Sequence, residues 1–306
     1  MSYRRRYSTD VRGDDPVSPA FFLAALAMEG QFMRAFFIGL QFLTRLSIIR
    51  QDHWTEEDFG RSVKFFPLIG AVLGMIYAAA AYVFLIFLPS KGIILPPHTI
   101  SAVLLILPPL LTGGLHCDGF MDTMDGLFSG RSRERMLEIM KDSRVGANGV
   151  FAFVLLMILD WSILLDLTQT SVLIPALLFM PVVARLMMVV AIALFPYARP
   201  EGMGKAFKDG GTKPVLYGVF FYTLLISFLL SVAAEFCGII PLGAGILSSW
   251  LFFVAAVILA ALFFTIFFAD YATRHLGGLT GDVYGAITTL TETLVLLCFL
   301  LLTSFV

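Results

Sequence analysis

The sequence is short of charge, and that shortage narrows what the chain can be. Asp, Glu, Lys and Arg make up 14% of its 306 residues, whereas a soluble globular domain carries about a quarter. Too few polar atoms are present to cover a water-facing surface. The net charge of −1 provides no global field for a nucleic acid, so no nucleic-acid partner is implied. Cys117, Cys237 and Cys298 are scattered without a C-x-x-C spacing, so neither a zinc site nor a disulfide framework is indicated. The basic start (Arg4, Arg5, Arg6) is followed by Asp10, Asp14 and Asp15 rather than by a short apolar core and cleavage site, and no removable signal peptide is read. Long linkers, low-complexity tracts and internal repeats are also missing. A polar N-terminal extension over residues 1–17 and a single transmembrane catalytic domain over 18–306 are therefore expected.

What is abundant is apolar. Hydrophobic residues form 58% of the chain, Phe alone contributes 30, and mean hydropathy is +0.88. Seven stretches approach the length of about 20 residues that a membrane-spanning helix needs. They are Phe65–Leu88, Thr99–Leu115, Gly149–Leu167, Val172–Phe195, Val215–Ala234, Ala244–Ala269 and Gly285–Val306. The expected fold class is all-α, a polytopic integral membrane protein in a lipid bilayer with about seven transmembrane helices. The second stretch is short and runs through Pro108-Pro109 to Gly113-Gly114, which suggests a broken or kinked end feeding a functional loop.

The connections alternate in charge. Those over 45–64, 116–148, 196–213 and 270–284 hold Arg and Lys, whereas those near 89–98, 168–171 and 235–243 hold one basic residue, Lys91. Basic loops stay on the cytoplasmic side, so the four basic connections are expected on that face. The apolar segment from Ser18 to Ser47 includes Glu29, Gln31, Arg34 and Gln41 and has basic flanks. It reads as an interfacial or re-entrant helical segment rather than an eighth span.

One stretch carries the clearest chemistry. Asp118, Asp122 and Asp125 fall at i, i+4 and i+7, one stripe of a helix. Three carboxylates on one face repel each other unless a cation lies among them, and hard oxygen ligands suit Mg²⁺ or Mn²⁺, which also bridge to substrate phosphates. A solvated acidic face is the plain alternative, but these acids are interleaved with Leu115, Phe120, Met121, Met124, Leu127 and Phe128. Gly113, Gly114, Gly119, Gly126 and Gly130 are places where backbone can approach a ligand. Arg131, Lys141 and Arg144 are candidate phosphate binders. Arg133 and Arg135 serve equally well as membrane anchors or as partners of Glu134 and Glu138. Asp142 either completes the metal site or pairs with Arg144, and His116 is a general base, a ligand or a structural histidine. Further along, the Gly277–Gly285 turn carries Asp282, and Glu292 lies about three turns into the last span. An ionisable residue at that depth defaults to function, as does Arg185 in the fourth span, while Asp160 and Asp166 fit a structural place near the outer interface.

These residues, in this order, resemble the cobalamin synthase family, the adenosylcobinamide-GDP ribazoletransferases. The resemblance covers most of the chain. It is carried by Phe42-Leu43-Thr44-Arg45-Leu46, Phe66-Pro67-Leu68-Ile69-Gly70, Gly113 to Gly119, Asp122 to Gly126, Arg133 to Gly146, Tyr197-Ala198-Arg199 with Glu201-Gly202-Met203-Gly204, and Gly277 to Ala286. Ser47, Cys117 and Thr289 depart from the family's usual residues. The resemblance implies an enzyme of the bacterial inner membrane that joins adenosylcobinamide-GDP to α-ribazole or its 5′-phosphate, releasing GMP, with an active site facing the cytoplasm. It implies Mg²⁺ held by Asp118, Asp122, Asp125 and Asp142. His116 and Lys141 would share the catalytic work, and Arg45, Arg131, Arg144, Arg185, Arg199, Asp282 and Glu292 would bind substrate. A homo-oligomer, or a complex with other nucleotide-loop assembly enzymes, is compatible with this reading. Two rivals remain at this stage, a CDP-alcohol-type phospholipid phosphotransferase and a divalent-cation transporter. Against transport, Arg and Lys lie among the acids, where they repel a permeating cation.

Overall fold

A computed structural model describes residues 19–49, 51, 53–236 and 246–303. The extension expected over 1–17, Cys237 and the last residues of the final apolar stretch lie outside them. The described elements are α1 (Pro19–Leu43), α2 (Glu56–Ser62), α3 (Phe66–Tyr82), α4 (Leu88–Ser90), α5 (Pro97–Thr112), α6 (Leu115–Leu127), α7 (Arg133–Ile139), α8 (Ala147–Leu167), α9 (Leu173–Leu194), α10 (Met203–Gly210), α11 (Lys213–Phe236), α12 (Ile246–Leu276) and α13 (Gly281–Leu302). A single π-helical turn, Val83–Phe87, joins α3 to α4. The all-α expectation therefore holds across the described residues.

Six helices are long and apolar enough to cross a membrane, or seven if the bent pair α5–α6 counts as one span. They coincide with the seven apolar stretches, so the protein is a multi-pass membrane protein. Boundaries differ in places: α12 continues to Leu276 rather than ending near Ala269, α13 begins at Gly281 rather than Gly285, and the bent pair runs on to Leu127. The added turn of α12 carries an i,i+4 pair, Asp270 with Arg274, at 2.7 Å. The described residues up to Arg34 and those from Ala35 onward form two compact units, and the site lies in the second.

The organising element is α9. Every residue from Leu173 to Ala193 is buried, including Arg185, so this helix runs through the middle of the bundle. α3 packs on it through Gly70 and Gly74, where a Cβ would overlap the backbone carbonyls of Pro181 and Leu178. This small-x-x-x-small spacing lets two helix backbones touch, the usual basis of close helix packing in lipid. α13, α11 and α12 also pack on α9. α2 starts on a capping box, Thr55 with Asp58, and lies against α10, where Phe207 packs edge-on to Phe42, Phe59 and Phe66. Outward-facing Phe151, Phe221, Phe252 and Phe263 are exposed, as lipid contact requires.

Candidate functional site

The site begins at a helix break. Pro108 and Pro109 lie within α5, and the break comes after them, at Gly113 and Gly114, whose φ values are +66° and +77°. Left-handed backbone is open to glycine and costly for other residues. α6 leaves at 91° to α5. The expected break is present, but it feeds a helix rather than a loop. The backbone N–H of Arg45 donates to Leu111 O at 2.6 Å, and the Arg45 guanidinium lies against Gly113.

α6 is fixed by α13 on one side and α8 on the other. Gly119 meets the start of α13, where a Cβ would fall 2.8 Å from the carbonyl oxygen of Asp282. Thr289 Oγ1 donates to His116 O at 3.2 Å. Gly126 faces the Met140 side chain, so Gly119 and Gly126 serve packing within the protein rather than the approach of a ligand. On the α8 side, Asp125 is buried and accepts from Gly146 N at 2.7 Å and Gly149 N at 2.8 Å. A carboxylate at that helix start covers free amides and opposes the helix dipole.

The four basic connections meet at one end of the bundle. Tyr197 and Leu279 form a bridge, with Ala198 N donating to Leu279 O and Leu279 N to Pro196 O, each at 2.8 Å. Arg199 Nη2 donates to Asp282 Oδ2 at 3.0 Å and reaches Met140 O at 3.5 Å. Thr280 caps α13 and also donates to Asp282 Oδ2 at 3.1 Å. The Arg133 guanidinium lies over Gly277.

Two cavities open here and share Asp118. The first, of about 490 Å³, is lined by His116, Asp118, Lys141, Arg199, Glu201 and Asp282, with an aromatic and sulfur wall of Phe42, Met188, Tyr197, Met203, Phe207 and Tyr284. Tyr197 and Tyr284 stack at 6.3 Å, and burial raises the Tyr197 hydroxyl above its ordinary range. The second cavity, of about 580 Å³, lies between Gln41 and Phe42 at the end of α1, Thr44 and Arg45 just after it, the α5–α6 break, Met121 and Phe153. Among the described residues its charged lining residues are Arg45 and Asp118. A third and much smaller space of about 50 Å³ lies inside the bundle, beside His116, Cys117, Asp160, Thr289 and Glu292.

The remaining expected site residues fall elsewhere. Asp142 and Arg144 form a two-point ion pair, at 3.0 and 2.7 Å, on the surface loop after α7. That pairing holds the Asp142 carboxyl down at about 2. Arg131 is exposed on the loop before α7, and Arg135 pairs with Glu138 at 2.8 Å. Arg185 and Glu292 pair with each other across α9 and α13, and Glu292 lines the small inner space rather than either large cavity. Asp160 is buried beside that space, a departure from the outer-interface place its position suggested. Tyr197, Tyr284 and Glu201 line the first cavity without having been singled out. Aromatic residues are too common in this sequence for two tyrosines to stand out.

Can these residues hold a divalent ion? Among the described residues no three His, Cys, Asp or Glu side chains are gathered as a ready-made cage. Asp125 is occupied by two backbone amides, Asp142 by Arg144, and Asp282 by Arg199 and Thr280. Asp118 and Asp122 remain, one helical turn apart, with no hydrogen bond or ion pair among the described residues. Mg²⁺ commonly binds through one or two carboxylates plus substrate phosphates, keeping waters elsewhere. The donor set fits an ion that arrives with a phosphate substrate.

Comparison with known proteins adds an independent line. A family model described as cobalamin-5-phosphate synthase matches residues 35–300. An adenosylcobinamide-GDP ribazoletransferase of Desulfitobacterium hafniense (strain Y51) is 40% identical over 269 residues, covering 87% of this chain and 96% of the relative. Proteins of the same name from Fusobacterium nucleatum subsp. nucleatum and Clostridium acetobutylicum are 37% identical over 288 residues and 34% over 269. They cover 89% and 87% of this chain, and 99% and 95% of their own lengths. No solved structure matches.

Proposed function

The chain belongs to the cobalamin-5-phosphate synthase family, membrane-embedded enzymes of cobalamin biosynthesis, and from that premise we propose a Mg²⁺-dependent transfer at the Asp118 wall. The reaction joins adenosylcobinamide-GDP to α-ribazole or its 5′-phosphate. The ribose 3′-hydroxyl attacks the cobinamide-side phosphorus, a P–O bond forms, the diphosphate P–O bond breaks, and GMP leaves with the electron pair.

The observation that carries this reading is the meeting of Asp118, Asp122, Lys141, Arg199 and Asp282 from separate connections around one end of the bundle. Asp118 and Asp122 would hold the ion, which would supply charge neutralisation on the diphosphate. Lys141 and Arg199 bind phosphate oxygens, with Asp282 fixing the direction of the Arg199 fork. His116 also lines this cavity, and in this proposal it takes the proton of an acceptor hydroxyl that reaches the Asp118 wall. The acidic stripe and the basic connections share one end, and by the positive-inside preference that end faces the cytoplasm of the inner membrane.

The test is GMP release by purified protein given adenosylcobinamide-GDP, an acceptor and Mg²⁺, with each omitted in turn. Turnover is expected to need all three, and Asp118→Asn and Asp122→Asn are expected to abolish it while leaving the protein inserted in the membrane. Near-normal activity in either variant sinks the assignment. Turnover of a CDP-linked lipid in place of the corrinoid, or metal flux into liposomes without substrate, supports one of the rival readings.

A further inference from the structure

We infer that the second cavity, with Arg45 at its mouth, is the acceptor site, and that Arg45 reads the acceptor's 5′-phosphate. The inference rests on the transfer proposed above and deepens it, by separating the two substrates in space and naming a specificity-determining residue.

The two large cavities differ in charge. The first offers Lys141 and Arg199, so it can meet the several phosphate oxygens of a diphosphate. Among the described residues the second is lined by one cation, Arg45, and one anion, the shared Asp118. Phe42, Pro109, Leu115, Met121 and Phe153 provide apolar surface suited to a neutral bicyclic base. Arg45 is exposed, and no carboxylate pairs with it among the described residues. Its place against Gly113 holds the guanidinium beside the helix break, where a side chain at 113 would collide with it.

Spacing supports the assignment. The transfer needs the acceptor's 3′-hydroxyl at Asp118 while its 5′-phosphate lies elsewhere. Gly114 is the residue just before α6, and Asp118 N donates to its carbonyl at 2.9 Å; the two lie one helical turn apart, about 6 Å, and a ribose phosphate bridges that gap. A base then falls against the Phe153 and Met121 side of the cavity. Asp118 forms part of both cavities' walls, so an acceptor hydroxyl from one and a donor diphosphate from the other can meet beside one carboxylate.

Phosphate oxygens of a lipid headgroup share the chemistry that Arg45 recognises, so the experiment separates the two sources. Steady-state kcat/KM is measured for α-ribazole 5′-phosphate and for α-ribazole, in wild type, Arg45→Met and Arg45→Lys, in nanodiscs of zwitterionic or of anionic lipid. Losing one charge-assisted hydrogen bond to phosphate corresponds to about a ten- to hundredfold loss. Arg45→Met is expected to lose that factor with the phosphorylated acceptor relative to the unphosphorylated one, in both lipids, and Arg45→Lys to recover part of it. Equal effects on the two acceptors overturn the inference while leaving the proposed transfer standing. So does a defect that follows anionic lipid and ignores the acceptor. A wild-type protein that turns over neither acceptor overturns the proposed transfer itself, and this inference with it.

Discussion

Arg185 and Glu292 provide the sharpest test of how charge is used inside this bundle. Sequence alone placed both among the substrate-binding residues, because an ionisable group within a span defaults to function. In the structure they pair with each other across α9 and α13. Arg185 is fully buried, and the Glu292 side chain is only 13% exposed. Removing one partner of a buried pair leaves an uncompensated charge, at a cost of about 3–5 kcal/mol, whereas replacing both by apolar residues of similar volume is often neutral or better. Scaled at about 2–4 °C per kcal/mol, the single variants should lose roughly 6–20 °C of thermal midpoint. Arg185→Met and Glu292→Leu are each expected to fall by that amount in detergent, at one fixed scan rate because such unfolding is often irreversible. The double variant should recover most of the loss and retain GMP release, since neither residue lines the two large cavities. A single Arg185→Met variant with a wild-type midpoint and no turnover would refute this reasoning and return the guanidinium to the substrate. A double variant as unstable as its parents would refute it equally.

Two further substitutions probe the frame around Asp118. In Gly119→Ala the new methyl falls 2.8 Å from the carbonyl oxygen of Asp282 and 3.1 Å from its Cα, backbone atoms that can move only with α13. Overpacking of this kind costs about 1–3 kcal/mol, and a shift of about 1 Å at a reacting centre can cost a hundredfold in rate. Initial rates of GMP release should fall accordingly, and wild-type rates would show that the crossing has slack. Asp125→Asn keeps at most one oxygen acceptor for the two amides of Gly146 and Gly149 and removes the charge at the start of α8. It should cost about 0.5–2 kcal/mol of stability without changing the Mg²⁺ concentration for half-maximal rate. A shift in that concentration without loss of stability would make Asp125 a metal ligand after all.

The spans were legible because lipid demands long apolar runs, and α3, α8, α9, α11, α12 and α13 follow them closely. The break at Gly113-Gly114 was legible as well, since two adjacent glycines after a proline pair leave few other readings. The acidic stripe on α6 showed in its i, i+4, i+7 spacing, but spacing cannot distinguish a carboxylate aimed at a cavity from one held by another helix. Asp125 is held by amides 21 and 24 residues further on, and Arg185 by an acid 107 residues away. Partners that distant leave no local trace. Asp142 is the contrary case. Its partner Arg144 is two residues away, and pairing was already one of the two readings its sequence position allowed.

The allocation of charge supports placing the proposed transfer at this end of the bundle. Beside α9, the buried Arg185 is met by the charge of Glu292. At the basic end, Asp125 secures α8, Asp282 orients Arg199, and Asp142 stays with Arg144 on the surface. That leaves Asp118 and Asp122 on the outward stripe of a short helix turned by 91° away from α5. A turn of that size takes the stripe out of the packed bundle while Gly119 keeps α6 pressed against α13. Asp122 is partly enclosed, whereas Asp118 lies, with Phe42 and Leu115, on the wall common to both cavities. A group there can meet one substrate's phosphorus and another's hydroxyl together, so the same helix break that interrupts a span also creates the place where two substrates can face each other.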